Sequence, residues 1–561
     1  FVHEIFREGL ISSLSPARSR AFHKDIAKAM ESIYGEFPGS KAAVLAEHYE
    51  KADDFSKAFS LWIRAAQYAY RLFSITDANI TYQRAEALIP KMALTEEEIY
   101  ELYAAWGSML FNGDEHNTLE EVMQRLQSLG EERGSSLLIG TALDGMSDVC
   151  MNRNQFERGL EYAQEALPLL ESSGHIPAQM NALIHQGVFI YMLNNFPGAE
   201  ENFRKALKLG EKREDAASIY AMGHANYQMA TIYTGMGFPA KAISYAKESL
   251  QAMRRSGLPH GSILPYSMMG LANYFFANYE EGRAKALKCF DLAEQTDSWR
   301  MLGYASAYAG MNETELALLG EAWKHAHQAI DIGEKNGHTE IISMGYKVLG
   351  DIYSRLGALP QAAKFYSSGV AIDTGFMKLE NLARLGMTLS LLGDPKGDAY
   401  LEEALTYLKA TGLGSILYNT EALQLSIFIQ RGEYDAFFGK VDEVKRNLSE
   451  RSHPKSFVWT DYLEALYLFK EGQLEKSLTV LKKILPLLEE NIFFWIRFRV
   501  YELQISLLEK LGRDSKIPHS KREIMLLQIE SSLGDALIQD EWKSFATRVR
   551  GSEKRFSGVT F

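Results

Sequence analysis

The sequence predicts an all-α protein, a right-handed superhelical solenoid of tandem helix pairs that repeat about every 40 residues. Three observations predict it. A column of small residues recurs at nearly constant spacing along the chain. Glycines fall where each pair should reverse, at Gly237, Gly357, Gly432 and Gly472. Only 14 prolines occur in 561 residues, and no strand-like alternation or Asn-Gly hairpin interrupts the helical patterns.

The clearest unit is GYKVLGDIYSRLGALPQAAKFYSSGVAI, where Tyr346, Leu349, Gly350 and Tyr353 share one helical face. Gly357 then breaks the helix, and Ala362, Tyr366 and Gly369 mark one face of a second. This is similar to the tetratricopeptide (TPR) pattern, in which small residues allow two helices to approach and large ones fill the gaps beside them. With the small residue that starts the second helix as a ruler, the column reads Ala78, Leu119, Gly159, Ala199, Ala242, Gly282, Ala322, Ala362, Ala399, Phe437, Ser477 and Ile517. Its successive spacings are 41, 40, 40, 43, 40, 40, 40, 37, 38, 40 and 40. A period above the basic ~34 residues implies longer helices or longer loops.

Residues 1–54 are expected to form linker helices, 55–518 about twelve repeats, and 519–561 capping helices with EWKSFATRVR exposed and a frayed tail after Gly551. The first residues read as mid-helix, which predicts a piece of a longer chain. Composition narrows the function classes. With 46% hydrophobic residues the chain can bury ample apolar surface. A net charge of −12 argues against a direct nucleic-acid surface. Cys150 and Cys289 are too few for a disulfide framework or a cysteine zinc site and read as small buried hydrophobes, which suits a reducing cytoplasm. No apolar run is long enough to span a membrane.

The first ninety residues resemble a named family. FVHEIFREGLISSLSPARSRAFHKDIAKAMESIYGE carries Phe1, His3, Arg7, Glu8, Leu14, Ser15, Pro16, Arg18, Arg20 and His23. It is similar to the segment joining the ATPase module of STAND proteins (signal-transduction ATPases with numerous domains) to their helical repeats. Ala46, His48, Tyr49, Ala52, Asp53, Phe55, Ala58, Trp62 and Ala65 continue the likeness, and beyond residue 90 only the generic repeat of a MalT-like TPR region continues. The resemblance implies a sensor or interaction arm that binds a small-molecule inducer, a protein or a peptide and controls a linked ATPase switch. Adenosine nucleotides belong to that linked module, and the full-length protein is expected to oligomerise. His3 matches the family's histidine that touches the nucleotide phosphate; local packing is the alternative. The alternative function is a constitutive scaffold for peptide segments.

No P-loop, nucleophile elbow or H-E-x-x-H motif occurs, so the chain reads as non-catalytic, without a cofactor or metal of its own. In TPR arrays the first helix of each pair lines the concave wall. That register nominates Asp144, Asp148, His224, Tyr227, Thr231, Ser267, Leu271, Tyr274, Tyr304, Lys347 and Asp351 as wall residues that could meet a ligand. The competing reading packs each tyrosine between helices, and an error of one residue in register would move every assignment.

Overall fold

A computed structural model describes residues 14–551, apart from 35–38, 73, 114, 257–258, 297, 374, 451–453, 491–492 and 535–536. Every element of the described residues is helical, with 27 α-helices and three short 3-10 turns. None is long and apolar enough to cross a membrane. Contacts divide the chain into two compact units.

Unit 1 comprises Phe1–Leu193 with Arg204–Arg213. It holds α1 (Pro16–Tyr34), α2 (Ala42–Lys51), α3 (Phe55–Arg71), α4 (Ile75–Glu86), α5 (Glu96–Asn112), α6 (His116–Arg133), α7 (Ser136–Asn152), α8 (Phe156–Ser173), α9 (Ile176–Met192) and the end of α10 (Phe196–Gly210). Local sequence sets the boundaries. Thr95 and Glu98 start α5 with a capping box, each side chain accepting from the other's backbone N–H. The helix then buries Ile99, Leu102, Trp106 and Met109 on one face, and the Trp106 indole N–H donates to Asn79 on α4 at 2.8 Å. One continuous apolar core runs from Ala27 to Ala182.

Unit 2 comprises Asn194–Phe203 with Glu214–Phe561. After the start of α10 it continues through α11 (Ala216–Gly235), α12 (Pro239–Arg255), α13 (Ile263–Phe275), α14 (Tyr279–Gln295), α15 (Trp299–Glu315), α16 (Leu319–Asn336), α17 (Thr339–Arg355) and α18 (Leu359–Ile372). It ends with α19 (Phe376–Leu392), α20 (Lys396–Thr411), α21 (Gly414–Arg431), α22 (Tyr434–Glu450), α23 (Pro454–Lys470), α24 (Leu474–Glu490), α25 (Phe494–Lys510), α26 (Lys516–Ser532) and α27 (Gln539–Arg550). The four expected turn glycines all take positive φ, between 67° and 79°. Left-handed backbone of this kind is nearly free for glycine and strained for other residues.

The small-residue column falls on the second helix of each pair, from Ala78 on α4 to Ser477 on α24. Two assignments need correction. Ala399 is exposed, and the buried stripe of α20 is Gly397, Leu401, Ala404 and Leu408. Ile517 is also exposed, and α26 buries Pro518, Arg522, Met525 and Ile529. Both corrected stripes have the 4, 3, 4 spacing of Ala322, Ala326, Ala329 and Gly333 on α16. Counting residues missed them because burial follows where a helix starts against its partner. The C-terminal expectation fails as well. α27 buries Trp542, Phe545, Ala546 and Val549, an i, i+3, i+4, i+7 face that the surrounding charges obscured. Residues after Gly551 lie outside the described residues.

Within unit 2 the chain winds back on itself after five helix pairs. The Leu319 N–H donates to Ser532 Oγ at 3.2 Å, the Trp495 indole to the Thr314 carbonyl at 2.7 Å, and Arg548 to the Leu356 carbonyl at 2.5 Å. Ser415 Oγ donates to the Gly235 carbonyl at 3.3 Å. Successive turns therefore meet along a seam, and glycine makes the approach possible. A Cβ on Gly320 would collide with the Ser532 and Leu533 carbonyls, and one on Gly414 with that of Met236. Gly320→Ala is therefore expected to cost about 1–3 kcal/mol, the range for overpacking. Hydrogen exchange checks it: the Leu319 amide should exchange faster, with α8 in unit 1 unchanged.

Candidate functional site

Asp144 and Asp148 lie on α7 in unit 1, and the structure puts a histidine between them. His185 Nδ1 on α9 is 3.0 Å from Asp144 Oδ1, and its Nε2 is 3.6 Å from Asp148 Oδ1. Burial alone would lower the imidazole pKa, but the Asp144 and Asp148 carboxylates outweigh it and raise it to about 10. Burial and the Asp144 charge push the Asp148 carboxyl up to about 6, with His185 opposing. Nearby, the His175 ring lies 4.2 Å from that of Tyr100, and its Nε2 is 3.1 Å from Glu97. Histidine spacing within single helices does not reveal His185, because its partners lie on another helix. It lies 41 residues beyond Asp144, one repeat on, and that spacing was the available signal.

The remaining candidates lie in unit 2. His224, Tyr227 and Thr231 share α11, where the His224 and Tyr227 rings stack at 6.2 Å. The Thr231 hydroxyl donates to the Tyr227 carbonyl of its own helix. Ser267 on α13 is buried and hydrogen-bonded with Cys289 on α14, so it binds two helices together. Leu271 is also buried. Both cysteines are buried free thiols, and burial pushes Cys289 up to about 12. The Tyr304 hydroxyl on α15 donates to Glu340 Oε2 at 2.6 Å, with the His338 ring edge-on at 5.7 Å. Burial raises the Glu340 carboxyl to about 7 despite that hydrogen bond.

Tyr274, Lys347 and Asp351 come together. Lys347 has no exposed surface, and its ammonium donates to Asp351 Oδ2 at 2.9 Å and to the Tyr274 hydroxyl at 3.1 Å. Glu380 Oε1 on α19 is 3.3 Å away. Burial opposes the lysine's charge, but Asp351 and Glu380 more than reverse this and hold it protonated. Arg384, also on α19, approaches Asp351 at 3.5 Å and Glu380 at 3.8 Å. The Tyr366 hydroxyl donates to the other Asp351 oxygen at 2.6 Å. The Arg384 and Lys347 charges keep the Asp351 carboxyl well below the usual range despite its burial.

The network extends to the seam. Glu315 at the end of α15 takes Arg355 at 2.6 Å and Lys455 of α23 at 3.0 Å. Burial raises its carboxyl, and the two cations overcome this to hold it at about 2. Burial also lowers the Lys455 ammonium to about 8. Glu380 and Arg384 lay outside the wall register because it stopped at Asp351. One repeat of 37 residues beyond Lys347 falls on Arg384.

His3 lies outside the described residues. His23 and His48, which the family pattern includes, meet through their Nδ1 atoms at 2.8 Å. Among the described residues no group of three or more His, Cys, Asp or Glu is placed to hold a metal ion.

No family model and no curated protein matches the chain. Among solved structures it is similar to a Rap protein complexed with competence and sporulation factor, at 14% identity and a TM-score of 0.48, over 71% of this chain and 99% of that one. It is similar to aspartyl phosphate phosphatase F from Bacillus subtilis at 15% identity and a TM-score of 0.39, over 70% and 94% of the two chains. A STAND protein with a tetratricopeptide repeat sensor from Pyrococcus horikoshii aligns at 14% identity and a TM-score of 0.36, over 72% and 75%. At such identities and scores no residue role is carried across.

Proposed function

We infer that the chain is a non-catalytic recognition region, binding a ligand or partner through its first-helix faces in a cytoplasmic STAND-type signalling or transcription regulator. One observation supports this above others: three first helices, α13, α17 and α19, pool Tyr274, Lys347, Asp351, Glu380 and Arg384 in a buried charged cluster. Buried ion pairs are weak contributors to stability, and apolar replacements of similar volume often do as well or better. Such a cluster makes more sense as a recognition or switching element than as a packing device. The first ninety residues, with their likeness to the STAND linker, support a place beside an ATPase switch. In that reading the effector favours one arrangement of the repeats over another, with a coupling of about 1–3 kcal/mol.

The test is a thermal-stability screen of the protein against sugars, nucleotides, amino acids and short peptides, paired with affinity capture. A ligand at roughly 100 times its Kd should stabilise by about 2.7 kcal/mol. Tyr227→Ala and Tyr304→Ala should abolish the effect, because both rings lie on first helices beside Glu340. Ligand effects and partner capture that both survive these changes would remove the first-helix faces from consideration.

A further inference from the structure

One face of α26 stays uncovered by its own chain. The helix buries Pro518, Arg522, Met525, Leu526 and Ile529 on one side, against the rest of unit 2. The opposite side presents Ile517, Ile524 and Leu527 at 73%, 54% and 58% exposure. Their spacings of 7 and 3 residues put them on one stripe, the heptad seam by which two helices pair. Ser520 and Ser531 fill the other positions of that stripe and are exposed. Among the described residues no other helix of unit 2 exposes more than one large apolar side chain. A stripe of this kind, rimmed by charge, marks an interaction surface.

The charges beside the stripe choose its occupant. Lys516 and Glu530 are exposed on the same flank, 14 residues apart, and among the described residues neither has an ion-pair partner. We propose that α26 is a self-association surface, where it forms an antiparallel helix pair with α26 of a second copy of this chain. With the two-fold axis near Glu523, Lys516 of each copy meets Glu530 of the other. Ile524 lies beside Ile524 of the second copy, while Leu527 and Ile517 meet the small Ser520 and Ser531, so large side chains oppose small ones. Glu523 faces its own counterpart at the axis but is already neutralised by Arg522 at 3.0 Å and Arg550 at 3.2 Å. On the other flank Lys521, held by Glu489 at 3.3 Å, lies across from the neutral Gln528. A parallel pair would instead set Lys516 against Lys521 of the second copy, two like charges. The antiparallel contact is isologous and closes after two copies. It uses the second helix of a repeat pair, leaves the first-helix faces free, and is independent of the recognition reading.

Sedimentation velocity of the full chain over a concentration series tests it. One pair of helix faces falls at the small end of specific interfaces, roughly 1,200 Å² or less, so the dimer should be weak and dissociate on dilution. Ile524→Glu, at the axis, should hold the chain as a monomer throughout, with helicity unchanged because the side chain is exposed. Lys516→Glu should weaken dimerisation about threefold or more, the scale of two exposed ion pairs, and adding Glu530→Lys should restore it. Cross-linking reads the direction. Ile524→Cys should form a disulfide between copies, and the native Cys150 and Cys289 are buried and do not compete. Ile517→Cys should not, because in an antiparallel pair the two positions lie about 20 Å apart, beyond the reach of a disulfide. A dimer that Ile524→Glu leaves intact, or a cross-link through Ile517→Cys, overturns the proposal. So does a chain that stays monomeric at every concentration, whether or not this face captures a different protein.

Discussion

Asp351→Ala is expected to destabilise unit 2 by about 3–5 kcal/mol, the cost of breaking a buried ion pair from one side. The magnitude follows from what Asp351 neutralises. Its two oxygens face Lys347 at 2.9 Å, Arg384 at 3.5 Å and the Tyr366 hydroxyl at 2.6 Å, all within buried surroundings. Without it, Lys347 and Arg384 share the single carboxylate of Glu380, at 3.3 and 3.8 Å, and the Tyr366 hydroxyl loses its acceptor. Urea unfolding, followed by probes that separate the two units, measures the loss, because a long repeat array need not melt in one step. The double variant Lys347→Met, Asp351→Leu removes both charges, leaves the Arg384 and Glu380 charges to each other, and should recover most of the stability. If the single change costs under 1 kcal/mol, the cluster is solvated and the electrostatic account of unit 2 is wrong.

The same cluster marks how far sequence reasoning reaches. The helix pairs were legible because their signal is local. Small residues recur once per repeat, apolar stripes follow the 3.6-residue period, and glycine marks the left-handed turns at Gly237, Gly357, Gly432 and Gly472. The register failed at Ala399 and Ile517 by one or two residues, where side-chain size and residue count do not reveal how far a helix start has slid. The wall register named Tyr274, Lys347 and Asp351, and the structure brings these three together. It also named Ser267 and Thr231, whose hydroxyls serve a neighbouring cysteine and their own helix. A register specifies a face, and the rotamer and the neighbour decide what that face does.

Other features carried no local signal. The seam joins residues about 180 to 215 positions apart, through Ser415, Trp495, Arg548 and Ser532. That separation is set by how much each repeat rotates against the next, a property summed over five pairs and written in no single motif. His185, Glu380 and Arg384 were accessible in principle, because each lies one repeat from a nominated residue or beside one that does. The repeat period that spaces the small-residue column also separates Asp144 from His185 by 41 residues and Lys347 from Arg384 by 37.

Glu315→Gln is the second large expected effect, and its pH dependence distinguishes it from ordinary core damage. Glu315 is buried at the seam, where it neutralises Arg355 and Lys455 at 2.6 and 3.0 Å. The amide keeps the shape and loses the charge, so buried Arg355 and partly buried Lys455 are left against a neutral group, at a cost of about 3–5 kcal/mol near neutral pH. In the wild type the Glu315 carboxyl is held at about 2, against 4.5 for an ordinary glutamate. A carboxylate depressed on folding contributes stability that is fully present above about 4.5 and is lost as pH falls through about 2. A difference of about 2.5 units corresponds to roughly 3 kcal/mol at 1.36 kcal/mol per unit. The wild-type stability of unit 2 should therefore fall by that amount, on top of the contributions of other acids, between pH 4.5 and 2. The variant should lack this component, so the gap between the two proteins narrows as acid is added. Hydrogen exchange at the seam amides of Leu319 should follow the same course, because Lys455 on α23 and Glu315 on α15 join successive turns of unit 2. A gap that stays constant from pH 7 to pH 2 would mean that Glu315 acts through packing alone, with no charge held at the seam.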